Sequence, residues 1–350
     1  MLVLFAGCSC PSNKGSELQW AQADGLFRQD ARWLGADAAY SLPLGDGRVL
    51  WLFGDTFVST SALNTRAKSK MVRNTIGIQR GLDPLTATMK FHWRGDPTAP
   101  ASFFPEDGDH WYWPGHGIVL GKAAVIFLQR IKATPGVGLG FEGNGWSVAV
   151  IDDATADPSL WAPKFYTPSS APKGIAAGAA VNLIDGNVVV LGQREPGDHA
   201  GFLAQWTQAD LLAGNLDSAQ WFTSDMGWVP QAQLPAAGPS VVMANAGPES
   251  SLHFDAQKSK WVHIRSEGFG STTIVRSEAL SPEGPWSAPE VLFRPPESDR
   301  KAVLVYAAKA HPELEAGGGL AVTYASNSTD FAAVVNDATL YYPRFVKLPR

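Results

Sequence analysis

Residues 48–54 read RVLWLFG, apolar without alternation after the leading arginine. The same texture returns in AAVIFLQ (123–129) and NVVVLG (187–192). A strand with one face in water alternates polar and apolar residues, whereas a strand apolar at every position needs cover on both faces. Each of these runs is the second half of a hairpin. The first hairpin, AAYSLPL-GDG-RVLWLFG, starts at residue 38, and others lie at 113–131, 176–195, 249–268 and 306–327. Each has a polar or glycine-rich turn. Successive copies begin about 60 to 75 residues apart, a period that suits the blades of a propeller. Further strand-like pieces at 75–80, 147–152, 201–207 and 272–280 would supply outer strands, and helical periodicity is confined to a short piece at 207–215. The expected fold is all-β, a five-bladed β-propeller, with 17–350 as one domain.

Composition supports this and narrows the partners. The 13 Trp, 35 Gly and 25 Pro favour many short strands and tight turns over long helices. A net charge of −5 without a basic run argues against nucleic acid or a polybasic membrane contact. Nothing in the sequence requires an oligomer, so a monomer is expected. Both cysteines, Cys8 and Cys10, lie in MLVLFAGCSC. This apolar run ends in small residues before a cysteine, so residues 1–16 read as an export or lipoprotein-like segment. Cys8 is the candidate lipidated residue, which would anchor the protein to a membrane outside the cytoplasm.

The innermost strand of each blade runs along a central channel. Reflecting each hairpin about its turn shows which residues share the end far from the turn. In the first copy these are Asp37 and Asp55; in the second, Trp113 and Arg130, with His116 nearby. The third brings Arg194 opposite small residues near Gly178, and the fourth brings Glu249 opposite Arg265 or Ser266. In the fifth, Lys309 falls opposite Tyr324, with His311 and Asn327 close by. Opposed carboxylates on neighbouring strands destabilise each other and push one pKa up unless a cation intervenes. Asp37, Asp55 and Glu249 are therefore the candidate catalytic residues. Trp113, His116, Arg130, Arg194, Lys309, His311, Tyr324 and Asn327 are the candidate substrate-binding residues. Carboxylates across a cleft among aromatic rings suit glycoside hydrolysis.

Two other motifs imitate cofactor or metal sites without the context those sites need. GLGFEG (138–143) matches a dinucleotide fingerprint but precedes no helix. FFPEDGDHWYWPGHG (103–117) gathers acids and histidines at spacings that fit no calcium loop or zinc site, and reads instead as a Trp-rich loop at the substrate rim. Neither a metal nor another cofactor is expected.

GADAAYSLPLGDGRVLWLFGDTF, NTIG (74–77), SPEGPWSAPEVLF (281–293) and YAAKAHPEL…AVTYASN…YYPRFVKL (306–348) together resemble a bacterial propeller family long catalogued as domains of unknown function. That family includes the endo-D-arabinanases that cut mycobacterial arabinogalactan and lipoarabinomannan. The resemblance implies an extracytoplasmic five-bladed propeller with a carboxylate glycosidase site at the channel mouth, acting within a furanosidic polysaccharide such as arabinan. It matches Asp37 and Asp55 to the family's opening and GDT aspartates, and Glu249 to a Glu-Ser stretch. The expected roles are Asp37 as base or nucleophile, Glu249 as general acid and Asp55 as the residue that tunes them. The rival expectation is a propeller that binds carbohydrate without cleaving it.

Overall fold

The computed structural model describes residues 17–136, 140–268 and 272–350. The export-like segment with Cys8 lies outside these residues, as does part of GLGFEG. Among the described residues the strands form five antiparallel blades and one short two-stranded sheet. Their innermost strands are Trp33–Gly45, His110–Leu120, Ile175–Ile184, Ser250–Asp255 and Val303–Ala310. Each touches the next, and the fifth returns to the first, so the ring closes.

The continuously apolar second strands explain why the blades stack. Along Arg48–Ser59, Val49, Trp51 and Phe53 enter a core shared with the last blade, against Phe27, Ala321 and Phe345. The intervening Leu50 and Leu52 enter the core shared with the second blade, against Ala124, Ile126 and Leu128. The second blade repeats the division, with Val125 and Phe127 turned towards the third. Alternation is thus present, but between two buried environments rather than between core and water.

The last blade supplies three strands of its own, Val303–Ala310, Leu320–Ser328 and Arg344–Leu348. Residues 18–20 add a fourth: the Trp20 amide donates to Phe345 O (3.0 Å) and the Lys347 amide to Leu18 O (2.8 Å). One arginine locks the junction of first and last blades from the other side. Arg66, 8% exposed, donates Nε to Leu34 O (2.8 Å), Nη1 to Val334 O (2.6 Å) and Nη2 to Leu340 O (2.6 Å). Gly35 lies under it at φ +116°, and a Cβ there would meet the Tyr341 carbonyl and Arg66 Nη2.

The inner strands share a further irregularity. Register shifts occur at Ala36–Tyr40, Pro114–Gly117, Ala177–Ala180 and Tyr306–Lys309. One extra residue enters the inner strand at Pro114–Gly117 and at Tyr306–Lys309, two enter at Ala177–Ala180, and at Ala36–Tyr40 each strand gains one in turn, bulges that re-aim the side chains beside them. Ala38, Gly178 and Ala307 hold positive φ at these points.

Arg66→Met keeps the apolar stem but strands several buried carbonyls. The expected loss is about 3 kcal/mol or more of folding stability, read from the shift of a chemical-denaturation midpoint.

Candidate active site

The bulges set what faces the channel mouth. In an unbroken strand, residues three apart point to opposite faces. Across a bulge both reach the channel: Asp37 and Tyr40, Trp113 and His116, Tyr306 and Lys309 are three such pairs. The upper member of each pair joins the mouth. Tyr306 Oη donates to Asp37 Oδ2 (2.7 Å), and Tyr341 Oη approaches the same oxygen at 3.3 Å. Trp113 Nε1 donates to Asp55 Oδ1 (2.9 Å), and Arg73 Nη1 lies 3.3 Å from Asp55 Oδ2. Glu249 accepts from Lys309 Nζ at 2.8 Å. That ammonium is 1% exposed and sits 4.3 Å over the Tyr40 ring.

These contacts give the three carboxylates different environments. Asp37 is pushed up to about 8, first by burial, then by the charges of Glu249 and Asp55; the Tyr306 bond and Lys309 pull the other way. Burial also raises Asp55, but the Trp113 bond and Arg73 oppose it by stabilising its charged form. Lys309 is pulled below its usual value by burial, against the attraction of Glu249. The mouth thus combines a carboxyl that keeps its proton at neutral pH with a second carboxyl, also raised by burial, whose charged form has two donors beside it. Two phenols occupy Asp37 Oδ2, so Oδ1 is the oxygen left for chemistry. Gly54 makes room for it, since a Cβ there would lie 2.5 Å from Oδ1.

The expected binding residues divide. Trp113 and Lys309 touch the acids directly, and Asn327 Nδ2 lies 3.5 Å from Tyr306 Oη. Arg130 and Arg194 turn to other partners: Arg130 approaches His110 Nδ1 (3.4 Å), and Arg194 pairs with Asp198 (2.9 Å) over the Phe202 ring. His116 is the lower member of its bulge pair and lies half-buried below the mouth, receiving the Val181 amide on Nδ1 (2.9 Å). His311 is not a mouth residue either. The inner strand ends at Ala310, and His311 is buried between Ser41 Oγ (2.6 Å) and Thr323 Oγ1 (2.7 Å). Tyr324 needs the plainest correction. Lys309 pairs with Thr323, so the one-residue difference turns Tyr324 to the opposite face. There it donates to Glu297 (2.8 Å), which also holds Arg344 (3.1 Å).

Sequence reading passed over Tyr306, Tyr341 and Arg73. A signal existed for Tyr306: YAAK (306–309) repeats the spacing of DAAY (37–40), two alanines between two channel residues. Arg73 and Tyr341 come from connections outside the innermost strands, which the hairpin comparison could not reach.

A family model described as a domain of unknown function, DUF5005, matches residues 21–349. The chain belongs to this family. A comparison of the DUF5005 chain with curated proteins found no match. Among solved structures, it is similar to a Bacteroides ovatus ATCC 8483 protein provisionally classed as a hydrolase. The TM-score is 0.73 at 17% identity, covering 93% of this chain and 88% of the other. It is also similar to a GH43_1 enzyme from Xanthomonas citri, with TM-score 0.52, 15% identity and 93% of both chains covered. At these identities the likeness establishes the propeller fold.

The raised Asp37 ties the stability of the DUF5005 propeller to pH. Its folded-state pKa, about 8, exceeds the ordinary 3.8. The stability due to its proton is therefore complete below about pH 4 and lost as pH rises through 8. Asp37→Asn removes this dependence. The variant is expected to gain on the wild type between pH 4 and 8, by roughly 1–3 kcal/mol after allowance for the open side of the carboxyl, in thermal melts at matched salt.

Proposed function

We propose that this DUF5005 protein is a glycoside hydrolase that cleaves within a furanosidic polysaccharide, arabinan first among candidates, outside the cytoplasm. The observation that carries the reading is the pair Asp37 and Asp55, two carboxyls at one mouth, both raised by burial, with neighbouring acids adding to the rise at Asp37 and Arg73 and Trp113 opposing it at Asp55. The arabinan preference rests on the resemblance of the first and last sequence blocks to the endo-D-arabinanases. Trp113 and Phe141, with ring centroids 4.8 Å apart, give the same mouth aromatic surface of the kind on which sugar faces pack.

The electrostatics favour a different division of roles from the one expected from sequence. Asp37, protonated at neutral pH, acts as general acid towards the leaving oxygen through Oδ1. Asp55, steadied by Arg73 and Trp113, acts as the anionic partner, base or nucleophile. Glu249 is engaged by Lys309 and acts at one remove, its charge helping Asp37 keep the proton. Tyr306 and Tyr341 are positioning residues for Asp37.

Incubation with arabinans, galactans and xylans, followed by assay of new reducing ends, tests the activity. Release from arabinan is expected, with kcat/KM falling above about pH 8 as Asp37 loses its proton. Asp37→Asn and Asp55→Asn should each lower turnover by about a hundredfold or more while the fold persists. A second reading has one observation in its favour, since each mouth carboxylate already has partners within the protein. Polysaccharide binding that survives Asp37→Asn, with no product from any glycan, would replace the hydrolase with a binding propeller.

A further inference from the structure

Below the mouth the channel holds a cavity of about 380 Å³. Its wall includes Tyr40, His116 and Lys309, the lower members of the three bulge pairs, and reaches Pro312 and Glu313. The same two residues also line an outer cleft, with Phe254, Asp255, Glu315 and Arg350. Glu313, half-buried, therefore stands between the cavity and solvent.

The segment that carries Glu313 joins the last blade to the first. It leaves the inner strand Val303–Ala310 and turns back into Leu320–Ser328. On the way Leu314 and Ala316 enter the core shared by the two blades, and the Glu315 amide donates to Leu82 O (3.0 Å). Arg66 holds this junction near Leu34, at one end of the first strand; a chain of side chains holds it nearer the turn. The Ser41 hydroxyl, from the first blade, joins the Glu313 carboxyl and His311 Nδ1 (2.6 Å). His311 Nε2 meets Thr323 Oγ1 (2.7 Å), and the imidazole packs on Trp51 with centroids 4.7 Å apart.

Each middle member of this chain has one proton to give. A serine hydroxyl donates once, and a neutral imidazole donates from one nitrogen and accepts at the other. Burial, then Lys309, His116 and His253, hold His311 well below its usual value, so it is neutral at pH 7. With Glu313 protonated, the carboxyl donates to Ser41, Ser41 donates to His311 Nδ1, and Nε2–H donates to Thr323. With Glu313 ionised, Ser41 has to donate to the carboxylate instead. His311 then carries its proton on Nδ1, facing Ser41, and accepts at Nε2 from the Thr323 hydroxyl. One proton leaves Glu313 for solvent, and one changes place between the nitrogens of His311, whose charge stays zero.

Burial raises Glu313 from 4.5 to about 7, against the Ser41 bond and its own amide. The groups around it leave that rise in place. Lys309 is matched by Glu249, burial holds His116 and His253 down at about 4, and on the cleft side Arg350 lies with the acids Asp255 and Glu315. The stability due to the Glu313 proton is therefore complete below about 4.5 and lost as pH rises through 7. Once ionised, the carboxylate is drawn from its single hydroxyl donor towards the water of the cleft. We propose that Glu313, Ser41, His311 and Thr323 form a proton-controlled latch on the junction of the first and last blades, in which loss of one proton reverses every hydrogen bond and loosens the 311–319 segment.

The test uses the full chain with isotope-labelled histidine. The Nδ1 and Nε2 resonances of His311 should pass from one tautomer's pattern to the other with a midpoint near pH 7. Glu313→Gln should hold one pattern from about pH 5 to about pH 9, and Ser41→Ala, which cuts the chain, should do the same if Glu313→Gln does not fold. Amide exchange reads the latch itself. At about pH 9 the Glu315 amide should exchange about tenfold or more faster in the wild type than in Glu313→Gln, with rates within about twofold at about pH 5. The proposal is overturned by a single His311 tautomer across that range in the wild type, by a tautomer change that persists in both variants, or by equal Glu315 exchange at the upper pH. None of these outcomes depends on whether the mouth cleaves a glycan.

Discussion

Everything in this fold depends on the second strand of each blade having no outside. Once Val49, Trp51 and Phe53 pack one way and Leu50 and Leu52 the other, neither the first blade nor its neighbours can be stable alone. The requirement passes from blade to blade until it must close on itself. Closure is the point at which a linear chain has to meet its own beginning. Residues 18–20 complete the last blade, and Arg66 ties Leu34 to the 334–340 connection. The rigidity of the ring then allows buried charge to be kept near the axis, where Lys309 and Glu249 would be costly in a looser structure.

The mouth uses that rigidity to hold a carboxyl in an unfavourable place. Asp37 shares its surroundings with two other acids, and the two phenols on its Oδ2 are partial compensation. Functional sites commonly concentrate such opposed groups, at a cost in stability that the surrounding core offsets. Here the compensation comes from the last blade, since Tyr306, Lys309 and Tyr341 all follow residue 300. Asp37 therefore gains these partners only when the last blade has folded beside it. That explains why the most informative sequence blocks sit at opposite termini.

Much of this was legible in the sequence, and the failures are as instructive. The five hairpins follow from unalternated apolar runs, because that texture has few other physical explanations. Reflection about each turn brought Asp37, Asp55, Glu249, Trp113 and Lys309 to one end, where the structure also places them. It failed wherever the strand was not uniform. Tyr324 was misassigned because the connection after Ala310 moves the centre of reflection, so that Lys309 pairs with Thr323, and His116 because it lies within the register shift at Pro114–Gly117. Arg73 and Tyr341 reach the mouth from connections whose course no strand pattern encodes. The local pattern YAAK beside DAAY did announce the bulges, and small residues at such points are the clue to seek in other propellers.

Those bulges have a consequence for how such a protein can change. A strand without them presents one file of side chains to the axis, so any exchange near the mouth is felt along the same file. Each bulge splits that file in two and gives each half its own phase. Asp37 and Tyr40 are neighbours on one strand, yet they answer to different spaces, as do Tyr306 and Lys309. A single ring can then present two sets of side chains along one axis, linked where Lys309 meets Glu249. Evolution, or a designer, can revise one set with little strain on the other, except at Lys309, whose charge both sets share.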